Sequence, residues 1–85
     1  MMGRRRRSRY EIIYLILEKC IEKSTITQIS YYIHSNFKQA RKYIDNLASN
    51  GYLNLVVDDN GNRYYTTEKG LLLMNKIKNL LSDIK

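Results

Sequence analysis

The sequence predicts a single, mainly α-helical domain with one small β-hairpin. Three observations predict it: apolar residues recur at steps of three and four, a β-rich stretch with an Asn-Gly pair follows Gly51, and the chain has no proline. The 85 residues suffice for one compact domain and leave no room for a separate catalytic domain.

The first predicted helix runs from Arg9 to about Lys23, with Ser8 as its N-cap. Its one apolar face contains Ile12, Ile13, Ile16, Leu17, Cys20 and Ile21. The uninterrupted apolar run covers only residues 12–17 before Glu18-Lys19, which is shorter than a secretory core or a membrane span. We therefore expect an intracellular protein with no membrane partner.

Two shorter helical patterns follow after polar turns. Thr25, preceded by Ser24, can cap a second helix from Ile26 to about Ile33. The turn 34–36 leads to a third helix from Phe37 to about Ser49, and Gly51 supplies its left-handed C-cap. The expected buried face of this third helix consists of Phe37, Ala40, Ile44 and Leu47.

The pattern then changes from helical to β. Residues 52–57 and 63–66 predict two strands, and the Asn60-Gly61 pair between them is typical of a tight hairpin. Thr66-Thr67-Glu68 next predicts an N-cap and a last helix that runs to about Ile84.

This order of elements is that of a winged helix-turn-helix: a three-helix core, a two-stranded wing and a C-terminal helix. Residues 25–30, 36–47 and 50–53, and the link 64–70, resemble a family of small archaeal winged helix-turn-helix DNA-binding proteins. The resemblance extends over residues 9 to about 75. It implies a transcriptional regulator or a chromatin-associated protein that dimerises through its last helix.

Charge points to a polyanionic partner, and nucleic acid fits best. The chain carries a net charge of +7, of which five positive charges lie within residues 1–9. We expect residues 1–8 to form a basic arm, residues 9–66 the DNA-binding domain and residues 67–85 a dimerisation helix. An arginine-rich arm can follow the DNA backbone or enter a minor groove, and RNA binding or a solubility role are alternatives.

The third helix, at about 36–50, is the predicted recognition helix for the major groove of double-stranded DNA. Gln39 can pair with adenine and Arg41 with guanine or phosphate, whereas Asp45 limits the contact to the first two turns. Asp58 and Asp59 argue against deep insertion of the wing. The residues predicted to contact DNA are Arg4, Arg5, Arg6, Arg7, Arg9, Ser35, Asn36, Lys38, Gln39, Arg41, Lys42 and Arg63. A merely solvated charged face is the alternative for the recognition helix, and a capping role is the alternative for Ser35 and Asn36.

The last helix has more apolar residues than one intramolecular contact requires. The residues predicted to form a homodimer are Leu73, Met74, Ile77, Leu80, Leu81 and Ile84. A two-fold dimer predicts DNA half-sites about 34 Å apart. The alternative is one broad face buried within a monomer.

With one cysteine and one histidine, the chain cannot form the common structural zinc sites or an internal disulfide. No pattern indicates a metal, a cofactor or an enzyme, and we expect a cytoplasmic, nucleoid-associated protein. A nonspecific chromatin protein and a winged-helix protein-interaction module remain the alternatives to a regulator.

Overall fold

The computed structural model describes residues 8–84, with side chains through Ser82. Its elements follow the predicted order and confirm the predicted fold class. They are α1 (Arg9–Lys19), α2 (Ile26–Tyr32), α3 (Phe37–Ser49), β1 (Leu53–Asp58), β2 (Gly61–Thr66) and α4 (Glu68–Ile84).

Each of these helices begins at a polar side chain that accepts a hydrogen bond from the first turn. The Ser8 hydroxyl accepts from the Glu11 N–H at 3.1 Å, and the Glu11 carboxylate accepts from the Ser8 N–H at 2.9 Å. Such reciprocal capping fixes where the chain enters a helix. The four caps are Ser8, Thr25, Asn36 and Thr67.

The end of α1 differs from the prediction. The helix stops at Lys19, four residues early, because Ser24 pairs with Tyr64 of β2 through backbone bonds of 2.8 and 3.0 Å. This pairing requires extended backbone, so the chain cannot continue as a helix. Ile21 consequently lies outside the core and is 57% exposed.

The buried face of α3 also needs one correction. Ala40, Ile44 and Leu47 are buried as predicted, whereas Phe37 is 53% exposed because it occupies the first helical position, at the edge of the packed region. At the other end, the predicted glycine cap is confirmed. Gly51 has φ +83°, and its N–H donates to the carbonyl of Ala48 at 3.1 Å.

The hairpin is longer than the sequence pattern suggests. β1 and β2 pair antiparallel from Leu53 opposite Thr66 to Asp58 opposite Gly61. Only Asp59 and Asn60 remain in the turn, so Gly61 belongs to the second strand, where its φ of +100° suits glycine. The predicted strand boundaries were therefore wrong by one or two residues.

The core lies between α1, α2, α3 and the base of the hairpin. Its buried members are Ile16, Leu17, Cys20, Ile29, Ile33, Ala40, Ile44, Leu47, Leu53 and Tyr64. Burial raises the pKa of the Cys20 thiol to about 12. Within residues 8–84, no helix has the length and apolarity needed to cross a membrane.

A tight junction connects the hairpin to α4; we use this name for Leu17, Cys20, Tyr52, Thr66 and Gly70. The Thr66 hydroxyl donates to the Leu17 carbonyl at 2.6 Å, and the Thr66 N–H donates to the Cys20 carbonyl at 2.9 Å. A Cβ at Gly70 would lie closer than 3.0 Å to both the Tyr52 carbonyl oxygen and the Thr66 methyl group. The junction therefore fixes the direction in which α4 leaves the wing.

Candidate nucleic-acid interface

The turn between α2 and α3 determines how the predicted recognition helix is presented. The His34 N–H donates to Tyr31 at 3.2 Å, and the Ser35 N–H donates to Ser30 at 3.0 Å. These bonds form a Schellman motif, in which His34 takes the left-handed position with φ 55°. The sharp reversal allows α3 to start at once and to pack its apolar face on the core.

The polar side of α3 is open to solvent. Lys38, Gln39, Arg41 and Lys42 are all exposed, while the opposite side of the helix is buried. Neither Lys38 nor Lys42 makes an ion pair within residues 8–84. The structure thus presents unneutralised ammonium groups on the face that the sequence assigns to DNA.

Ser35 and Asn36 serve the start of α3. The Asn36 side-chain oxygen accepts from the Gln39 N–H at 2.7 Å, which makes Asn36 the N-cap. The Ser35 hydroxyl donates to the Gln39 side-chain oxygen at 3.3 Å. Gln39 is therefore held from its oxygen end, and its amino group remains available as a donor.

Arg41 forms an exposed ion pair within α3. Its Nε lies 3.7 Å from a carboxylate oxygen of Asp45, one helical turn away, and both side chains are more than half exposed. Exposed pairs of this kind contribute about 0–1 kcal/mol, so a phosphate can replace Asp45 at small cost. The pair does not remove Arg41 from the candidate interface.

Arg63 on the wing is engaged more firmly. Its Nη2 lies 2.5 Å from the Asp58 carboxylate, and its buried Nε has no hydrogen-bond partner within residues 8–84. The hydrogen bond from Arg63, followed by that from the Asn60 N–H, lowers the pKa of Asp58. With Asp59 adjacent, the wing tip carries no net positive charge, and the sequence alone could not show that Arg63 is already paired with Asp58.

A groove between the first turn of α1 and the exposed side of α3 forms part of the same surface. Its volume is about 430 Å³. The residues that line this α1–α3 groove are Arg9, Ile13, Gln39, Lys42, Tyr43, Asn46 and Leu47. Asn46 was not among the predicted contact residues, although its spacing of four from Lys42 and seven from Gln39 places it on the same helix face.

The remaining predicted residues either belong to α4 or lie outside the described residues. Arg4 to Arg7 lie outside the described residues, as does the side chain of Ile84. In α4, Ile77 is 3% exposed, and Leu73 and Met74 pack against the core, so these three serve the chain's own fold. Leu80 is 45% exposed and Leu81 is half-buried.

α4 packs on α1 and is the longer of the two helices. The two helices pack on each other, and α4 starts beside the C-terminal end of α1, so they run antiparallel. With 17 residues against 11, α4 is about 26 Å long and α1 about 17 Å at 1.5 Å per residue. α4 is thus about 9 Å longer than α1, and Leu80 and Leu81 lie in its last two turns.

A helix-turn-helix with an exposed basic third helix, followed by a hairpin and a further helix, defines a class of winged helix-turn-helix domains. A family model described as "Winged helix-turn-helix" matches residues 6–85. The chain belongs to this winged helix-turn-helix family. None of the curated proteins matches the sequence significantly.

Solved structures support the same assignment. The chain resembles Sso10a-2, described as a DNA-binding protein from Sulfolobus solfataricus, with 36% identity and a TM-score of 0.83 over 89% of this chain and 80% of that chain. It also resembles the transcriptional regulator BldR from Sulfolobus solfataricus, with 14% identity and a TM-score of 0.79 over 86% of this chain and 55% of that chain. A MarR family protein from Bacillus stearothermophilus has 17% identity and a TM-score of 0.65 over 91% of this chain and 58% of that chain. The chain spans just over half the length of the last two, and their likeness shows the fold alone.

Proposed function

We propose that this protein is a homodimeric transcriptional regulator that binds double-stranded DNA with α3 in the major groove. The observation that carries the proposal is the exposed face of α3, where Lys38 and Lys42 carry unpaired charges on a winged helix-turn-helix scaffold. Long cationic side chains on a helix that is anchored from its other face can reach both phosphates and base edges. The 36% identity to a protein described as DNA-binding supports the same function.

The role of each side chain in DNA binding depends on whether it already has a partner within the chain. Lys38 and Arg41 reach base edges, with Arg41 exchanging Asp45 for guanine or phosphate. Ser35 and Asn36 lie at the edge of the interface and keep α3 in position. The arm residues Arg4 to Arg7 follow the backbone or a minor groove, and the wing approaches the backbone near Arg63. A DNA-bound protein of this kind resides on the nucleoid.

The C-terminal end of α4 supplies the dimer contact. Leu80 and Leu81 lie in the last turns of α4, and the exposed Leu80 leaves apolar surface that a second copy would cover. Two-fold pairing there would present two copies of α3 to one face of a duplex. The DNA half-sites would then lie about one helical turn, roughly 34 Å, apart.

A second candidate function is sequence-independent DNA packaging. Gln39 and Arg41 are the two side chains best suited to read bases, and both already have partners within the chain. The Gln39 oxygen accepts from Ser35 and the Arg41 guanidinium lies beside Asp45, which favours this second function. A face built mainly of lysines recognises phosphate rather than sequence. Regulator and packaging protein therefore differ only in their ratio of specific to nonspecific affinity.

Selection of bound duplexes from a random pool tests the function directly. A regulator enriches a palindromic motif, and Lys38→Ala with Arg41→Ala flattens that preference, whereas Lys76→Ala with Lys78→Ala on α4 leaves it intact. Salt-dependent binding without enrichment would assign the protein to the packaging class. A chain that binds no duplex even at low salt would be a protein-interaction module.

The dimer has its own test in sedimentation equilibrium of the full chain. Leu80→Glu should give monomers because it places a charge in the apolar contact. Leu71→Glu is the matched control, since Leu71 is also 45% exposed and lies nine residues before Leu80, about 180° away around the axis of α4. A monomeric wild type at 100-fold the concentration used for DNA binding would rule out the dimer and leave DNA binding to be judged separately.

A further inference from the structure

The α1–α3 groove presents hydrogen-bond donors and positive charge on all its polar sides. Arg9 stands at the α1 side and Lys42 at the α3 side, and neither makes an ion pair within residues 8–84. No acidic residue lines the groove. An occupant that balances these groups must be an anion.

The two carboxamides in the groove are already satisfied as acceptors. The Gln39 oxygen accepts from the Ser35 hydroxyl at 3.3 Å, and the Asn46 oxygen accepts from the Asn50 amino group at 3.4 Å. The amino groups of Gln39 and Asn46 make no hydrogen bond within the described part of the chain. The groove therefore offers amino, ammonium and guanidinium donors together, which is the complement of a phosphate oxygen.

The volume of the groove and its apolar residues indicate the size and the polarity of the anion that fits it. Ile13, Tyr43 and Leu47 add apolar surface between the donors. Gln39 and Asn46 are seven residues apart on α3, which corresponds to about 10 Å along the helix axis. A volume of about 430 Å³ is far larger than one isolated phosphate needs. A chain that alternates phosphates with apolar sugar faces matches both the length and the mixed lining.

We propose that the α1–α3 groove holds the sugar-phosphate backbone of one DNA strand beside the major groove that α3 enters. This inference rests on the proposed DNA-binding function. Arg9 and Lys42 neutralise phosphates from opposite sides, the amino groups of Gln39 and Asn46 donate to phosphate oxygens, and the apolar residues face deoxyribose. Gln39 then positions the protein on the backbone instead of reading adenine, and base recognition passes to Lys38 and Arg41.

The first test places an acceptor and a negative charge in the groove. Asn46→Asp keeps the oxygen that Asn50 contacts but removes the donor, so duplex affinity at low salt should fall about tenfold or more. Asn75→Asp, at an exposed position of α4, makes the same change in net charge and should alter affinity less than twofold. Equal effects of the two substitutions on fluorescence-anisotropy titrations would overturn the groove as a backbone site.

The second test counts phosphates. The double variant Arg9→Ala, Lys42→Ala should reduce the slope of log affinity against log salt by about 1.8, because each lost phosphate contact lowers the slope by about 0.9. Lys76→Ala with Lys78→Ala removes the same charge from α4 and should leave the slope unchanged. Thermal unfolding followed by circular dichroism verifies that each variant is folded before its slope is compared.

The outcomes separate this inference from the proposed function. If wild type binds duplex DNA and the groove variants keep its slope and affinity, the groove inference fails and DNA binding stands. If wild type binds no duplex, both fail. Nitrogen-15 NMR of the Gln39 and Asn46 amino groups adds a direct test: duplex should shift both signals. Shifts caused by inorganic phosphate at equal ionic strength but not by duplex would identify a small-anion site and overturn the proposal.

Discussion

The junction and the exposed side of α3 differ in whether their polar groups have partners within the chain. At the junction, Thr66 donates from both its hydroxyl and its N–H to carbonyls of the first helical segment, and Gly70 has no room even for a methyl group. On α3, Lys38 and Lys42 have no ionic partner within residues 8–84 and lie in open solvent. Polar groups with partners inside the chain determine the fold, and those without partners are available to a ligand. Substitutions should therefore change unfolding free energy at the junction and DNA affinity on α3.

The largest effect should come from Gly70→Ala. The new Cβ would collide with the Tyr52 backbone, which cannot move without shifting β1, so we expect a loss of about 3 kcal/mol in unfolding free energy. Urea unfolding measures it. Asn75→Ala in the same helix is the control and should be neutral or slightly stabilising. A loss below about 1 kcal/mol would show that α4 is less firmly placed than the junction indicates.

Thr66→Val tests the buried hydrogen bond at the same junction. The substitution keeps the side-chain shape and removes the donor to the Leu17 carbonyl, so unfolding free energy should fall by about 1–2 kcal/mol. Thr27→Val, at an exposed position of α2, controls for the change of residue type. If both variants unfold alike in urea, the hydroxyl contributes nothing specific to the junction.

His34→Gly should raise the unfolding free energy instead of lowering it. His34 lies in the turn between α2 and α3, outside both the junction and the exposed side of α3. His34 occupies a left-handed conformation at φ 55°, which glycine adopts freely, so the substitution should stabilise the protein by about 1 kcal/mol. His34→Ala is the sharper comparison because alanine retains the Cβ and should bring no such gain. Stabilisation by alanine as large as by glycine would attribute the effect to the imidazole ring.

The ion pair of Asp58 and Arg63 should give the smallest effect, visible as pH dependence. Because the folded state lowers the pKa of Asp58 from its ordinary value of 3.8, its contribution to stability is present above that value. The contribution is lost as the pH falls through the lower pKa of the folded protein. Asp58→Asn should therefore flatten the acid side of a stability profile, and Asp59→Asn should not. Parallel profiles for the two variants would contradict this assignment.

The helices could be predicted from sequence because their signals are local. Caps such as Ser8 and Thr25 and the glycine after α3 act within a few residues, and the structure confirms them. The end of α1 could not be predicted in the same way. It depends on the pairing of Ser24 with Tyr64, 40 residues later in the chain, which competes with a helical pattern that is otherwise continuous.

The candidate site also has some features that follow from local sequence and others that depend on distant contacts. The exposed face of α3 follows from its helical period, so Lys38 and Lys42 were found on the surface as predicted. The pairing of Arg63 with Asp58 across the hairpin and the placement of Arg9 and Asn46 in one groove depend on tertiary packing. The spacing within α3 places Asn46 on the same face as Lys42, but only the packing of α1 beside α3 shows that Asn46 lines a groove with Arg9.

Cys20 makes the opening of this fold measurable by chemistry. Thiolate is the form that reacts with alkylating reagents, and a wholly buried thiol with a pKa of about 12 supplies almost none at neutral pH. Reaction must therefore wait until the core around Cys20 opens. As the chain has one cysteine, its alkylation rate reports that opening without any introduced label. Bound DNA should slow the reaction by the same factor by which it lowers the population of the open domain, so the logarithm of the rate reports the added stability.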